Sequence, residues 1–306
     1  MCPTKQKPRP SREEKPSPQN PSLSPPPPID WKHEARLAGS LDEVDLHTGV
    51  NGWAPPPGDL FSLRAKNYFS KKQKSPSGDW LLKPLAVDWL RSSARLDNLL
   101  SRPDNRVATA LRRAQASGSA RKAFMFAVNL QIPGREHHSA VFYFASDDPL
   151  HPDSLLYKFV HGDEAFRNSR FKIVNRIVKG PWIVKAAVGN HSACLLGKAL
   201  CCRYLKGDNY FEIDVDIGSS ALANAILHLA LGYVTSVTVD MGFVVEAQSE
   251  EELPEKLVGA VRIAQMEMGS AVWVEPMGPE PASRAHGPVK GRSFGRVKHH
   301  ARDEEV

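Results

Sequence analysis

Tyr210-Phe211-Glu212-Ile213-Asp214-Val215-Asp216-Ile217 alternates without a break: Phe211, Ile213, Val215 and Ile217 point one way, Glu212, Asp214 and Asp216 the other. A period of two marks a strand with one face in a core. Lys206-Gly207-Asp208-Asn209 just before it are turn formers, and residues 195–205 supply an apolar first arm, so the segment reads as a hairpin. Upstream, Phe124, Phe126, Val128, Leu130 and Ile132 alternate in the same way until Pro133-Gly134 ends the run, and residues 141–145 are apolar on both faces, as a central partner strand would be. Residues 81–90 read as a further buried strand and residues 104–115 as a short helix.

The pattern then repeats its grammar. Residues 154–166 have helical spacing, residues 171–178 read as a strand, and Pro181 with Gly189 frames a short helix over 182–188. Residues 219–231 form a helix that is apolar nearly all round and is therefore expected to be buried, and residues 233–247 form a strand. Ser249-Glu250-Glu251-Glu252 is a capping box, expected to open a helix with Leu253, Leu257, Val261 and Ala264 on one face. Strand pairs mixed with helices indicate an α+β fold, a mainly antiparallel sheet packed against helices. A helix-grip arrangement, a curved sheet around a C-terminal helix, is compatible with that pattern.

Ten of the 25 prolines lie in the first 28 residues, where almost nothing is apolar. Such a segment cannot bury enough surface to offset the entropy of ordering. Residues 1–52 are thus a Pro-rich disordered tail and lead-in, residues 53–274 the domain, and residues 275–306 a basic disordered tail. Ser24-Pro25-Pro26-Pro27-Pro28 could serve a protein partner as a polyproline ligand. The 306-residue chain is 41% hydrophobic and 24% charged, which excludes collagenous, wholly disordered and disulfide-scaffold classes. Four cysteines without an N-terminal apolar run suit a reducing compartment. Residues 217–239 carry no formal charge, but Asn224, His228 and the Gly232-Tyr233 break argue against a transmembrane span.

Little in the chain announces catalysis. There is no nucleophile elbow, no phosphate loop and no zinc spacing among the cysteines and histidines, so neither enzyme activity nor a cofactor is expected. The Glu212, Asp214 and Asp216 face could ligate a hard cation. Its plainer reading is the polar side of a half-exposed strand, with Arg203 opposite Glu212 across the hairpin.

The basic residues are more telling. The formal net charge is +6, and between Glu164 and Asp208 there are nine Lys or Arg residues and no acid. A second acid-free window, residues 60–78, holds Arg64, Lys66, Lys71, Lys72 and Lys74 beside Tyr68 and Phe69. Alternation places Arg170, Lys172 and Arg176 on one strand face, a row that is either solvated or turned to a lipid surface. Arg64, Lys66, Lys71, Lys72, Arg167, Arg170, Lys172, Arg176 and Lys179 are the candidate lipid or anion contacts, with anionic phospholipids or phosphoinositides as partners. Nucleic acid is not expected, since no recognition helix or stacking pattern accompanies the charge.

Several strings resemble the C-terminal domain of the plant Enhanced Disease Resistance two family, from about Trp53 to Met268. They are Gly162-Asp163-Glu164-Ala165-Phe166-Arg167-Asn168-Ser169-Arg170-Phe171-Lys172, Gly180-Pro181-Trp182-Ile183-Val184, Leu195-Leu196-Gly197-Lys198, and residues 210–220. Glu246-Ala247-Gln248 and Glu251-Glu252-Leu253-Pro254-Glu255 extend the likeness, as do Phe61-Ser62-Leu63-Arg64 and Asn67-Tyr68-Phe69, with Ala65 where the family usually has glycine. The resemblance implies a regulator of defence-associated cell death at endomembranes, without catalytic residues. Longer members carry pleckstrin-homology and START domains ahead of this one, and targeting by those modules is not expected here. The expected protein is cytoplasmic and peripheral on endomembranes or the plasma membrane. The rival expectation is a protein-interaction adaptor whose basic surface docks an acidic partner.

Overall fold

The structure, a computed structural model, describes residues 30–277 apart from Ala38 and Asn190. The expected disordered tails and the proline-rich string at Ser24 lie largely outside the described residues. In chain order come α1 (Trp31–Arg36), β1 (Asp42–Glu43), β2 (Gly52–Ala54), β3 (Ser62–Arg64), α2 (Tyr68–Lys71), β4 (Lys74–Pro76), β5 (Lys83–Ser92), α3 (Arg106–Ala116), β6 (Phe124–Ile132) and β7 (His137–Ser146). Next are α4 (Leu155–His161), α5 (Glu164–Asn168), β8 (Phe171–Lys179), α6 (Trp182–Val188), β9 (His191–Leu195), α7 (Leu196–Ala199), β10 (Cys201–Lys206), β11 (Tyr210–Asp216), α8 (Ala221–Leu231), β12 (Thr238–Val245), β13 (Leu257–Ala264) and β14 (Val272–Trp273).

Two six-stranded sheets result, in the orders β10-β11-β6-β7-β5-β14 and β1-β2-β13-β12-β8-β9, and β3-β4 form a separate hairpin. Pairing is mainly antiparallel, with parallel neighbours at β11–β6, β5–β14 and β1–β2. The α+β class read from the sequence holds. The sheets pack on one another rather than around a C-terminal helix. Phe243 of β12 is the junction, its ring 5.7 Å from Phe142, 5.8 Å from Phe144 and 6.2 Å from Phe171. Gly259 permits the close approach, because a Cβ there would overlap the Phe144 ring.

Each sheet is also covered on its outer side. Met125, Ala127 and Tyr143 turn away from the inter-sheet core and pack with Trp31, Ala35, Val107 and Leu111 of α1 and α3. The folded unit therefore reaches back to α1, upstream of Trp53. On the second sheet, Val244, Leu257 and Ala260 meet Phe61 and Leu63 from the β3-β4 hairpin. This four-layer stacking buries faces that alternation alone assigns to solvent.

Three expectations are corrected. The capping box at Ser249 and Glu252 forms, yet it opens only a 3-10 turn over Glu250–Glu252. Pro254 cannot donate in the next helical turn, and Leu257–Ala264 becomes β13, buried at every residue between β12 and β2. The helix at residues 221–231 has no buried residue and leaves Leu222 72% exposed. In the hairpin, β10 begins only at Cys201, and Arg203 lies opposite Asp214 rather than Glu212. No described helix is long and apolar enough to cross a membrane.

Candidate functional site

The β3-β4 hairpin is anchored at its base and charged at its tip. Phe61 and Leu63 are buried against the second sheet, and the register pairs Leu63 with Ser75 and Arg64 with Lys74. Beyond Arg64 the chain turns through α2, which ends because Lys72 takes a left-handed φ of 55°. Ala65 N donates to Gln73 O at 3.1 Å, and Asn67 Nδ2 to Gln73 Oε1 at 2.7 Å, closing the loop. Lys66, Lys71, Lys72 and Lys74 are exposed, and none of them forms an ion pair among the described residues. Tyr68 and Phe69, half-buried and edge-to-face at 5.9 Å, sit among them. The Arg64 guanidinium lies 4.7 Å over the Tyr68 ring and Lys72 Nζ 5.4 Å from its centre. The loop is a compact cationic surface with aromatic flanks.

The row on β8 is different. Alternation is right about direction: Phe171 and Ile173 enter the inter-sheet core and Lys172 turns the other way. That other side is roofed by the β3-β4 hairpin and the 246–255 segment, so Arg170 and Lys172 are buried. Lys172 Nζ meets Glu246 Oε2 at 3.2 Å and Glu255 Oε1 at 2.8 Å. Arg170 pairs with Glu252 Oε2 at 2.7 Å, and Arg64 reaches Glu246 at 3.0 Å and Glu255 at 3.7 Å. Arg176 binds Asp240 at 2.6 Å, and buried Arg262 holds the same carboxylate at 2.6 Å. The expected solvent-facing row of Arg170, Lys172 and Arg176 is therefore an internal ion-pair network. Its carboxylates come from residues up to 83 positions away, which an acid-free window cannot reveal.

Of the other candidates, Arg167 donates to the carbonyls of Phe159 and Val160 at 3.0 and 2.8 Å and lies 5.0 Å from the Phe211 ring. Burial lowers its pKa from the usual arginine value. Lys179 is exposed at the far end of β8, with Nζ 3.3 Å from Gln265 Oε1. The structure thus brings Lys66, Lys71 and Lys72 together with Lys74, which lay in the same acid-free window, keeps Arg64 beside them over the Tyr68 ring but tied to Glu246 and Glu255, and separates them from Arg167, Arg170, Lys172, Arg176 and Lys179.

Of the carboxylate face of β11, Glu212 and Asp214 are buried rather than half-exposed, while Asp216 stays part-exposed and pairs with Arg95 at 3.1 Å. Glu212 Oε1 and Oε2 accept the amides of Leu99 and Leu100, each at 2.7 Å. Asp214 accepts from Asn98 N at 3.0 Å and Asn129 Nδ2 at 2.8 Å. Burial raises both carboxyl pKa values, and the neighbouring Asp214 charge pushes Glu212 higher still. Arg203 instead pairs with Asp97 at 2.8 Å. These acids pin the 98–100 loop onto the sheet. Among the described residues no three His, Cys, Asp or Glu side chains are grouped to hold a metal. Burial pushes the Cys202 thiol up to about 12, and raises Cys194 as well, which disfavours the thiolate.

A second surface went unread in the sequence. At the pole of Lys179, Trp182 is 78% exposed beside α8, whose uncharged run predicts a core helix over residues 219–231. The signal available was the pair Asn224 and His228, four residues apart and so on one face of the helix, which could have turned that face to water.

Comparison with known proteins places these features in a family. The family described as "Protein ENHANCED DISEASE RESISTANCE 2, C-terminal" matches residues 53–267. An Arabidopsis thaliana protein described as "Protein ENHANCED DISEASE RESISTANCE 2-like" is 43% identical over 237 residues, which cover 77% of this chain and 31% of that relative. The chain thus matches about a third of the length of that curated relative. No solved structure matches it.

Proposed function

The chain belongs to the Enhanced Disease Resistance 2 C-terminal family, and on that premise we propose a non-enzymatic regulator of plant defence or cell-death signalling. In this reading it associates peripherally with anionic membranes on the cytoplasmic side of endomembranes or the plasma membrane. The observation that carries the reading is the loop 65–74, with four exposed lysines that form no ion pair among the described residues, set around Tyr68 and Phe69. A Lys or Arg near an anionic bilayer contributes about 1 kcal/mol, and aromatic side chains favour the headgroup level. The ion pairs at Arg64 hold the base of the loop on the second sheet, so its charge is presented without reordering. Non-enzymatic action is supported by the engagement of these groups: Glu212 and Asp214 are held by backbone amides, and burial keeps the Cys194 and Cys202 thiols protonated.

Flotation of the protein with phosphatidylcholine vesicles, with and without phosphatidylinositol phosphates, tests the proposal. Recovery should require the anionic lipid and fall as salt rises, because exposed charges are screened beyond about 8 Å at physiological ionic strength. Equal recovery on neutral and anionic vesicles would overturn it.

A further inference from the structure

At the pole opposite the lysine loop, the two sheets part around a cavity of about 130 Å³. Its walls include Trp89, Phe142, Val239 and Met241, and its roof is formed by Leu227 and Leu231 of α8. Asp88 also borders it, but its carboxylate is committed to Arg106 at 2.7 Å and Ser40 at 3.3 Å on the other face of β5. The one side-chain donor left in the lining is the indole N–H of Trp89, which has no partner in the structure. A polar guest would find that one donor in exchange for all its water contacts, whereas hydrocarbon has none to lose.

The surroundings extend the apolar path outward. None of the residues of α8 is fully buried, so the roof is the most weakly held wall. Trp182 and Leu222, exposed at 78% and 72%, continue the apolar surface outside it. Lys179 stands at the rim: it bonds Gln265, whose Nε2 donates to Thr235 O at 3.1 Å, and Gln265 and Thr235 adjoin the lining residues Met266 and Val234. Its ammonium has no carboxylate partner among the described residues.

We infer that this pole binds a single hydrocarbon chain carrying an anionic head, with the chain end in the cavity under α8 and the head at Lys179. The cavity matches the size that takes a benzene-like group, so it holds the last few carbons while the rest lies along α6 and α8. The site goes beyond the membrane reading and does not rest on it. Seven residues of β8, roughly 23 Å at 3.3 Å per residue, separate Lys179 from Lys172 in the network that anchors the lysine loop.

The test uses the full chain in vesicle-free buffer with cis-parinaric acid as the fluorescent probe. Saturable enhancement is expected for the wild type. It should weaken at least tenfold in Ala230→Phe and in Ala140→Leu, which fill the cavity from roof and floor, while circular dichroism shows each folded. Lys179→Gln should weaken the acid several-fold and leave methyl parinarate unchanged. Replacing Lys66, Lys71, Lys72 and Lys74 with Ala should leave parinarate binding as it was, which separates this site from the membrane surface. No saturable binding by the wild type, or undiminished binding by both folded filling variants, overturns the site. Equal effects of Lys179→Gln on acid and ester overturn the anionic head. If neither filling variant folds, hydrogen exchange of the wild type decides: added protection in α8 and at the Thr238 end of β12 supports the site, and unchanged exchange there refutes it.

Discussion

Lys172 Nζ sits 2.8 Å from Glu255 Oε1, with side-chain exposures of 8% and 1%, so this base and this acid neutralise each other inside the protein. The pair welds β8 to the segment ahead of β13, and Glu255 also accepts the amides of Arg64 and Ala247 at 3.2 Å each. Charge in a family motif is here a device for joining layers.

Lys172→Met should lower stability by about 3 kcal/mol, because it leaves Glu255 and Glu246 buried with Arg64 alone. Urea denaturation measures the loss. A change within about 0.5 kcal/mol would mean that water reaches the network.

Replacing Lys66, Lys71, Lys72 and Lys74 together with Ala should leave the melting temperature nearly unchanged, since all four are exposed and have no ion pair among the described residues. Association with anionic vesicles should weaken by about three orders of magnitude if all four touch the surface. Vesicle titration beside a thermal melt reads both quantities.

Burial raises the pKa of Glu212 well above the ordinary 4.5, so the native state binds more protons than the unfolded chain as pH rises from that value. This group's contribution is full below about 4.5 and is lost as pH climbs through the raised pKa. Glu212→Gln, which cannot titrate, should therefore cost most near pH 4 to 5, and the gap to wild type should narrow toward alkaline pH. Glu252 acts in the opposite sense: hydrogen bonds from Gln248, Arg170 and Ser249 hold it below the ordinary value, so its contribution is present above 4.5 and lost as pH falls. Denaturation across pH resolves the two slopes.

Leu222→Ala should change stability by less than about 0.5 kcal/mol, and Leu227→Ala, on the inward side of α8, by about 1–2 kcal/mol. Phe243→Ala at the junction of the sheets should cost about 3–5 kcal/mol. Comparable losses at Leu222 and Phe243 would place α8 in the core.

The sequence by itself determined the local conformations that one residue's neighbours can dictate. The strand over Phe124–Ile132 and the helix over Trp182–Val188 lie where alternation and the Pro181 and Gly189 boundaries put them, and the inward direction of Phe171 and Ile173 follows from period two. Direction is a local property, but burial depends on what covers the other side. Only the tertiary structure decided that residues 98–100 roof Glu212 and Asp214, that Phe61 and Leu63 roof Lys172, and that nothing described covers Leu222. The same holds at residues 257–264, where burial on both faces of a central strand erases the period that separates strand from helix. Lysines of the 65–74 loop and Lys172 look alike along the chain. Carboxylates brought from far along the chain engage Lys172, and none among the described residues reaches the loop lysines.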